Sequence, residues 1–281
     1  MTPVSEQVIL VTGATDGIGR LTAGRLSQMG ARVLLHGRDA DKCRRVKSEI
    51  EKQTDNVSLA CVTADFSSLT EVRRLATEIR QSHDRLDVLI NNAGIFPAAS
   101  ETDPPPVGEQ GYAHCMTVNY LAPFLLTHLL LPCLRGAAAA RIVNVASAAQ
   151  EAIDFDDLMM ENDYGAMQAY SRSKLALVLF TFELSHRLQN DPLTVNCMHP
   201  GSLLDTKMVR QAFSQPMGSA RSGAEVAVHL ATAPELEGIT GAYFDRKQSA
   251  RAHPQAYDEA ARQRLWQLSL ALTGLAAQAN G

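Results

Sequence analysis

Eight residues near the amino terminus, Thr12-Gly13-Ala14-Thr15-Asp16-Gly17-Ile18-Gly19, constrain this chain more than any other stretch. They follow a strand-like apolar run, Val8–Val11, and a helical pattern opens inside them. Glycines so placed let backbone amides and a helix N-terminus face a pyrophosphate with no Cβ in the way. Alone, such a turn is a weak sign. Between the first strand and first helix of a βαβ unit it predicts a dinucleotide-binding turn, with Gly13, Thr15, Gly17, Ile18 and Gly19 as contacts. The bland alternative is a tight structural turn.

The rest of the chain supports the first reading. Strand-like runs at Val8–Val11, Arg32–Leu35, Val57–Val62, Asp87–Ile90, Arg141–Val145, Thr194–Met198 and Gly241–Phe244 alternate with helical stretches at Ile18–Met29, Ala40–Lys52, Leu69–Ser82, Tyr112–Leu131 and Gln168–Leu188. Several runs are continuously apolar and β-branched, as strands buried on both faces are. The alternation implies right-handed βαβ units. The expected fold is α/β: a Rossmann-like, doubly wound parallel sheet of about seven strands, flanked by helices on both faces. No repeat or low-complexity linker divides residues 1–281, so one domain is expected.

The end of the second strand bears on cofactor choice. His36-Gly37-Arg38-Asp39 stands there, with Arg38 nineteen residues after Gly19. An acidic residue at this place hydrogen-bonds a ribose 2′-hydroxyl, whereas an Arg accommodates a 2′-phosphate. A guanidinium clamps phosphate bidentately. Asp39 could be the hydroxyl ligand, but it also suits the N-cap of a helix beginning at Ala40. The cap, and with it NADP(H), is the favoured reading.

Composition removes several other functions. The net charge of −4 offers no bulk positive field for nucleic acid. The five cysteines are an odd number with no Cys-x-x-Cys pair, and no His-Glu-x-x-His occurs, so neither a disulfide framework nor a metal site is expected. The run Leu121–Leu134 carries Pro123, His128 and Pro132 and reads as too short and interrupted to span a bilayer. With no targeting segment visible, a cytoplasmic location is expected. A homo-oligomer is left open.

Tyr170 and Lys174 lie in Tyr-Ser-Arg-Ser-Lys, at the start of an apolar helix. Positions i and i+4 share a helix face. A free phenol titrates near 10, and a neighbouring ammonium favours its phenolate. A Tyr so placed can pass a proton to or from a substrate oxygen. The bland alternative is an ordinary exposed helix pair.

With these motifs in hand, the chain resembles the short-chain dehydrogenase/reductase family over nearly its whole length. Its motifs stand in family order: the turn Thr12–Gly19, Asp65 after the third strand, Asn91-Asn92-Ala93-Gly94 after the fourth, Asn119, Ser147 after the fifth, Tyr170 with Lys174, and Pro200-Gly201 after the sixth. The resemblance implies a catalytic group of Asn119, Ser147, Tyr170 and Lys174. Tyr170 would be the acid/base. Lys174 would lower its pKa and bind the nicotinamide ribose, Ser147 would donate to the substrate oxygen, and Asn119 would hold a relay water. Asp65 and Phe66 would meet adenine, and Asn91, Ala93 and Gly94 would lie under the cofactor. Pro200, Gly201 and Thr206 would line the nicotinamide. The expected substrate is a small-molecule carbonyl or alcohol.

Within the family the chain is most similar to the retinol-dehydrogenase-like branch, through Val118-Asn119-Tyr120-Leu121, Asp154-Phe155-Asp156-Asp157-Leu158, His199-Pro200-Gly201-Ser202 and Gly241-Ala242-Tyr243-Phe244. That branch handles lipophilic carbonyls. There are departures. Ala146-Ser147 stands where relatives often have two serines, the interval from Ser147 to Tyr170 is long, and the branch's N-terminal membrane anchor is not seen. Two other functions fit the same fold: an epimerase, for which little chain follows Tyr170, and an NADP-binding sensor without turnover, which commonly lacks the Tyr or Lys.

Three long connections follow the fourth, fifth and sixth strands: Pro97–Gly111, the acidic Gln150–Gly165, and Ser202–Gly223. Ligands of open α/β sheets bind at these strand ends. The last connection offers Leu203, Leu204, Met208, Val209, Phe213 and Met217, with Gly218 and Gly223 as hinges, and is expected to be a mobile lid or, failing that, a helix capping the core. Gln255–Leu272 is expected to pack back on the domain rather than dock elsewhere.

Overall fold

The computed structural model describes residues 2–97, 107–162, 164–213 and 215–275. Pro104-Pro105-Pro106, Asp163 and Ser214 therefore lie outside the described residues. Strands β1 (Val8–Val11), β2 (Arg32–Gly37), β3 (Leu59–Thr63), β4 (Val88–Asn91), β5 (Ala140–Val145), β6 (Leu193–His199), β7 (Tyr243–Asp245) and β8 (Gln248–Ala250) form one sheet in the order β3-β2-β1-β4-β5-β6-β7-β8. All neighbours are parallel except β7 and β8. The order reverses between β1 and β4, and the ends of β1, β2, β4, β5 and β6 meet along one edge.

Helices cover both faces. On one side lie α1 (Gly17–Gln28), α2 (Ala40–Thr54) and α8 (Ala220–Thr232), packed on Ile9, Val11, Val33 and Leu35. On the other lie α3 (Leu69–Ser82), α5 (Ala122–Arg135), α6 (Ala166–Arg187) and α9 (Glu259–Leu272), packed on Val8, Leu10, Leu34 and Leu89. The alternating side chains of each strand thus enter two cores, which is why the runs are apolar throughout. Side-chain caps start the helices: Asp16 for α1, Asp39 for α2, Ser68 for α3 and Asp258 for α9.

Several boundaries differ from expectation. An eighth, antiparallel strand adds to the seven expected; its Gln-Ser-Ala sequence is polar and short and carries no strand pattern. β3 starts at Leu59, not Val57, because Asn56 accepts from the Ser58 amide and donates to the Ser27 and Ala31 carbonyls, holding the approach as a turn with Val57 80% exposed. Gly241 takes a φ of +69°, so β7 begins two residues later.

The segment read as one helix, Tyr112–Leu131, is α4 (His114–Met116), a π-helical turn (Thr117–Leu121) and α5. Together these make 22 residues, long and apolar enough to cross a membrane by length and composition, contrary to the shorter run read from the sequence. The prolines do not end it: Pro123 closely follows the π-helical turn, and Pro132 lies in the last turn of α5. In the fold, 78% of its most apolar window is buried. The segment Gln255–Leu272 packs back as expected: Leu265 and Trp266 of α9 are buried, with the indole against Phe124 and Phe180.

Candidate active site

The glycine-rich turn is held from three sides. Gly13 has a φ of +65°, and a Cβ on it would fall 2.8 Å from Ala93 Cα. A Cβ on Gly19 would collide with the Gly13 carbonyl oxygen and the Asn92 side chain. Only glycine permits this approach of the β1 turn, the start of α1 and the end of β4. Thr12 Oγ1 accepts from the Asn92 and Ala93 amides at 2.9 Å, and Asn92 donates to the Thr12 carbonyl at 2.8 Å. Thr15 packs on Gly37, and Gly17 opens α1.

Beside this turn lies the end of β2. His36 is buried; its Nδ1 accepts from the Gly13 amide at 3.2 Å, and its Nε2 faces the Ala64 carbonyl at 3.1 Å. The tautomer with the proton on Nε2 satisfies both. The ring stacks on Phe66 at 4.3 Å. Burial pushes its pKa down to about 4, so it is neutral. Arg38 is exposed just beyond. Asp39 accepts from the Lys42 amide at 2.9 Å, which is the capping role preferred for it. Burial favours the neutral Asp65 carboxyl, but hydrogen bonds from Ser67 and the nearby Arg38 charge outweigh it, leaving the pKa below the ordinary value.

Tyr170 and Lys174 rise from the first turns of α6 toward the end of β5. Lys174 Nζ is buried, donates to the Val145 carbonyl at 2.9 Å, and stands 5.7 Å from the centre of the Tyr170 ring. Gly94 lies against both Asn119 and Lys174: a Cβ on it would come within 3.2 Å of Asn119 Oδ1 and 3.4 Å of Lys174 Nζ. The Ser147 hydroxyl accepts from the Ala149 amide at 3.0 Å and hydrogen-bonds Tyr170. The four residues expected to act together do converge.

Two details bear on the roles expected of these residues. Burial raises Tyr170 to about 12 against the bond from Ser147, and burial lowers Lys174 to about 8. Desolvation is the largest influence on each group. The Asn119 side chain is spent on structure: Oδ1 accepts from the Ile95 amide at 2.8 Å, and Nδ2 contacts the Ile95 carbonyl, Cys115 and Ser173. Likewise the Asn91 amide donates into the core, to Thr127 and Asn144.

Pro200 and Gly201 follow β6, where Pro200 and Ile18 both approach Gly223. Thr206 lies beside the glycine-rich turn; its methyl would be 3.1 Å from a Cβ on Gly17. The expected lid is also redrawn. Leu204 bridges Gly218, Asp205 N–H donates to the Gly218 carbonyl at 2.7 Å and Met217 N–H to the Leu203 carbonyl at 2.8 Å. The excursion therefore spans 205–217, containing α7 (Lys207–Ala212), and is pinched at its base. Gly223 is buried inside α8 and is no hinge. Phe213 contacts Phe96 at 5.2 Å, and Phe96 contacts Tyr170 at 5.1 Å between ring centres.

A model of the short chain dehydrogenase family matches residues 7–217, which include the turn, the Tyr-Lys pair and the excursion. The chain belongs to the short-chain dehydrogenase family. It is 39% identical to retinol dehydrogenase 13 of Mus musculus over 97% of this chain and 85% of that protein. It is 36% identical to retinol dehydrogenase 14 of Homo sapiens over 96% and 87%. Among solved structures it is similar to a short chain dehydrogenase of Shigella flexneri complexed with NADP, at 29% identity and a TM-score of 0.71, covering 86% of this chain and 97% of that one. As a short-chain dehydrogenase of the retinol-dehydrogenase-like branch, the protein is an oxidoreductase working with a nicotinamide cofactor.

Sequence reasoning about this dehydrogenase missed His36, Phe96 and Cys115, and assigned no role to His199. His36 carried a signal, being a polar residue that directly continues the apolar run Val33-Leu34-Leu35 before Gly37. Cys115 and Asn119 stand one helical turn apart, but the π-helical turn that packs them behind Lys174 leaves no mark in the sequence.

Proposed function

We propose that this protein reduces a lipophilic carbonyl with NADPH, and oxidises the corresponding alcohol in reverse. The observation that carries this reading is the cluster of Ser147, Tyr170 and Lys174 set beside Gly94, with Phe96 and Phe213 in tilted ring contacts leading outward from Tyr170. The glycine turn fits a dinucleotide, since its close contacts leave no room for a Cβ and its amides open α1. Gly13, Thr15, Gly17, Ile18 and Gly19 would hold the pyrophosphate, with Thr206 beside them. Arg38 would clamp the 2′-phosphate, and Asp65 with Phe66 would flank adenine. Asn91, Ala93 and Gly94 would support the nicotinamide half from below, and Pro200 and Gly201 would border it.

Bound there, NADPH supplies the hydride. Tyr170, with its proton held by burial, donates it to the carbonyl oxygen as charge develops. Ser147 donates a second hydrogen bond to that oxygen. Lys174, buried and fixed on the Val145 carbonyl, sits where it can bind the nicotinamide ribose. The aromatic pair Phe96 and Phe213 favours an apolar substrate body, and the retinol dehydrogenase names of the relatives point to the same substrate class.

The test is fluorescence titration with NADPH and NADH, followed by turnover of all-trans-retinal against small polar aldehydes. NADPH binding and faster retinal reduction are expected. Tight NADPH binding without turnover of any carbonyl would leave a sensor instead. In the same titrations, Arg38→Asp should weaken NADPH by about 2–3 kcal/mol, as the loss of a charge-assisted contact does, and spare NADH.

A further inference from the structure

We infer that His199 is a positioning residue that ties the catalytic serine turn to the base of the excursion over the site. It sits at the end of β6, buried, between two segments that the proposed reaction uses. On one side its Nδ1 accepts from the Ala148 amide at 3.1 Å. On the other its Nε2 faces Ser202 Oγ at 3.3 Å. A backbone amide can only donate, so Nδ1 carries no proton and Nε2–H donates to Ser202. One neutral ring, in one tautomer, thus holds both segments.

The consequence for Ser147 follows from the turn it belongs to. The Ser147 hydroxyl accepts from the Ala149 amide at 3.0 Å, which directs its own proton away from the turn. That geometry requires the peptide between Ser147 and Ala149 to keep its orientation, and the Ala148 N–H is its handle. The Ser147 carbonyl is held separately, by Gln150 Nε2 at 2.8 Å and the Tyr243 hydroxyl at 3.2 Å. These two contacts hold the oxygen side of the Ser147–Ala148 peptide; the His199 contact holds its N–H side and, of the three, is the one that reaches across to Ser202. From Ser202 the chain continues through Leu203 and Leu204, the pinched base of the excursion. The base of the excursion and the pose of Ser147 therefore share one ring. This inference rests on the reductase reading for its kinetic consequence, not for its geometry.

Two substitutions separate the two links. The Oδ1 of His199→Asn can take the place of Nδ1 and accept from Ala148 while abandoning Ser202. The amide of His199→Gln can reach Ser202 while abandoning Ala148. With NADPH and all-trans-retinal, His199→Ala and His199→Gln should lose kcat on the order of 10- to 100-fold, as misplacing a catalytic group does. KM for NADPH should stay unchanged. His199→Asn should recover most of that kcat at no higher melting temperature than His199→Gln. Nitrogen NMR of histidine-labelled protein should show the His199 ring with its proton on Nε2. Equal kcat in the Asn and Gln variants, a loss confined to KM, or a proton found on Nδ1 would each overturn the inference. A wild-type protein that reduces no carbonyl would overturn the functional reading instead, and the ring tautomer would still decide whether His199 holds Ala148.

Discussion

His36 gives the cofactor site an acid limit whose size can be worked out. Buried between the Gly13 amide and the Ala64 carbonyl, it has a pKa lowered from 6.5 to about 4 by desolvation. The folded value lies below the unfolded one, so the unfolded chain binds the extra proton. Stability is then complete above pH 6.5 and is lost as pH falls through that value toward 4. The slope approaches 1.4 kcal/mol per pH unit, and the full window amounts to about 3 kcal/mol. His36→Asn keeps an acceptor for Gly13 without a titrating ring. Urea unfolding of both proteins at half-unit steps from pH 7.5 to 4 reads the difference directly. His128, also held neutral at about 4 by burial, is common to both and cancels. The wild type should lose about 3 kcal/mol more than the variant over that window. Parallel curves would show that His36 is not held neutral by the fold, and the placement of its ring against Gly13 would be wrong.

Three further outcomes follow from the site. Tyr170→Phe should leave NADPH affinity nearly intact while kcat falls at least about 100-fold, the usual loss on removing a general acid; substantial activity in steady-state assays would point to another acid. Gly19→Ala should destabilise the protein by about 1–3 kcal/mol in urea melts, because the added methyl must displace the Gly13 carbonyl or Asn92, and NADPH quenching should weaken in parallel. Proteolysis within 205–217 should be fast in the free protein and slow with NADPH plus a bulky ketone, since α7 buries none of its residues; a rate unmoved by ligands would mark the segment as a fixed cap.

The fold was legible where one physical rule acted alone. Continuous apolar runs gave β1, β2 and β5 because two helical layers bury both faces of the sheet. Asp39 was legible as a cap because an acidic residue before Ala40 has a local partner, the Lys42 amide. Legibility failed where distant chain segments decide the outcome. The start of β3 depends on Asn56 reaching Ser27 and Ala31, a contact across 25 residues or more that no local pattern carries. β8 is too short and polar to show a period of two.

The catalytic group divides along the same line. Residue types and order could be read, because each chemistry demands a particular side chain. Protonation could not, because it depends on what surrounds the group. From sequence the Tyr170–Lys174 pair reads as a phenol made acidic by an ammonium. In the fold both side chains leave water, and burial disfavours the charged form of each, with Nζ 5.7 Å from the ring centre. The phenol that results keeps its proton at neutral pH, as a donor to a carbonyl must. Alcohol oxidation needs the phenolate, so its kcat/KM should keep rising with pH well above neutrality, whereas carbonyl reduction should stay flat until the phenol begins to ionise. A pH profile in which oxidation is already level at pH 7 would show that the ammonium, not burial, governs Tyr170 in the working enzyme.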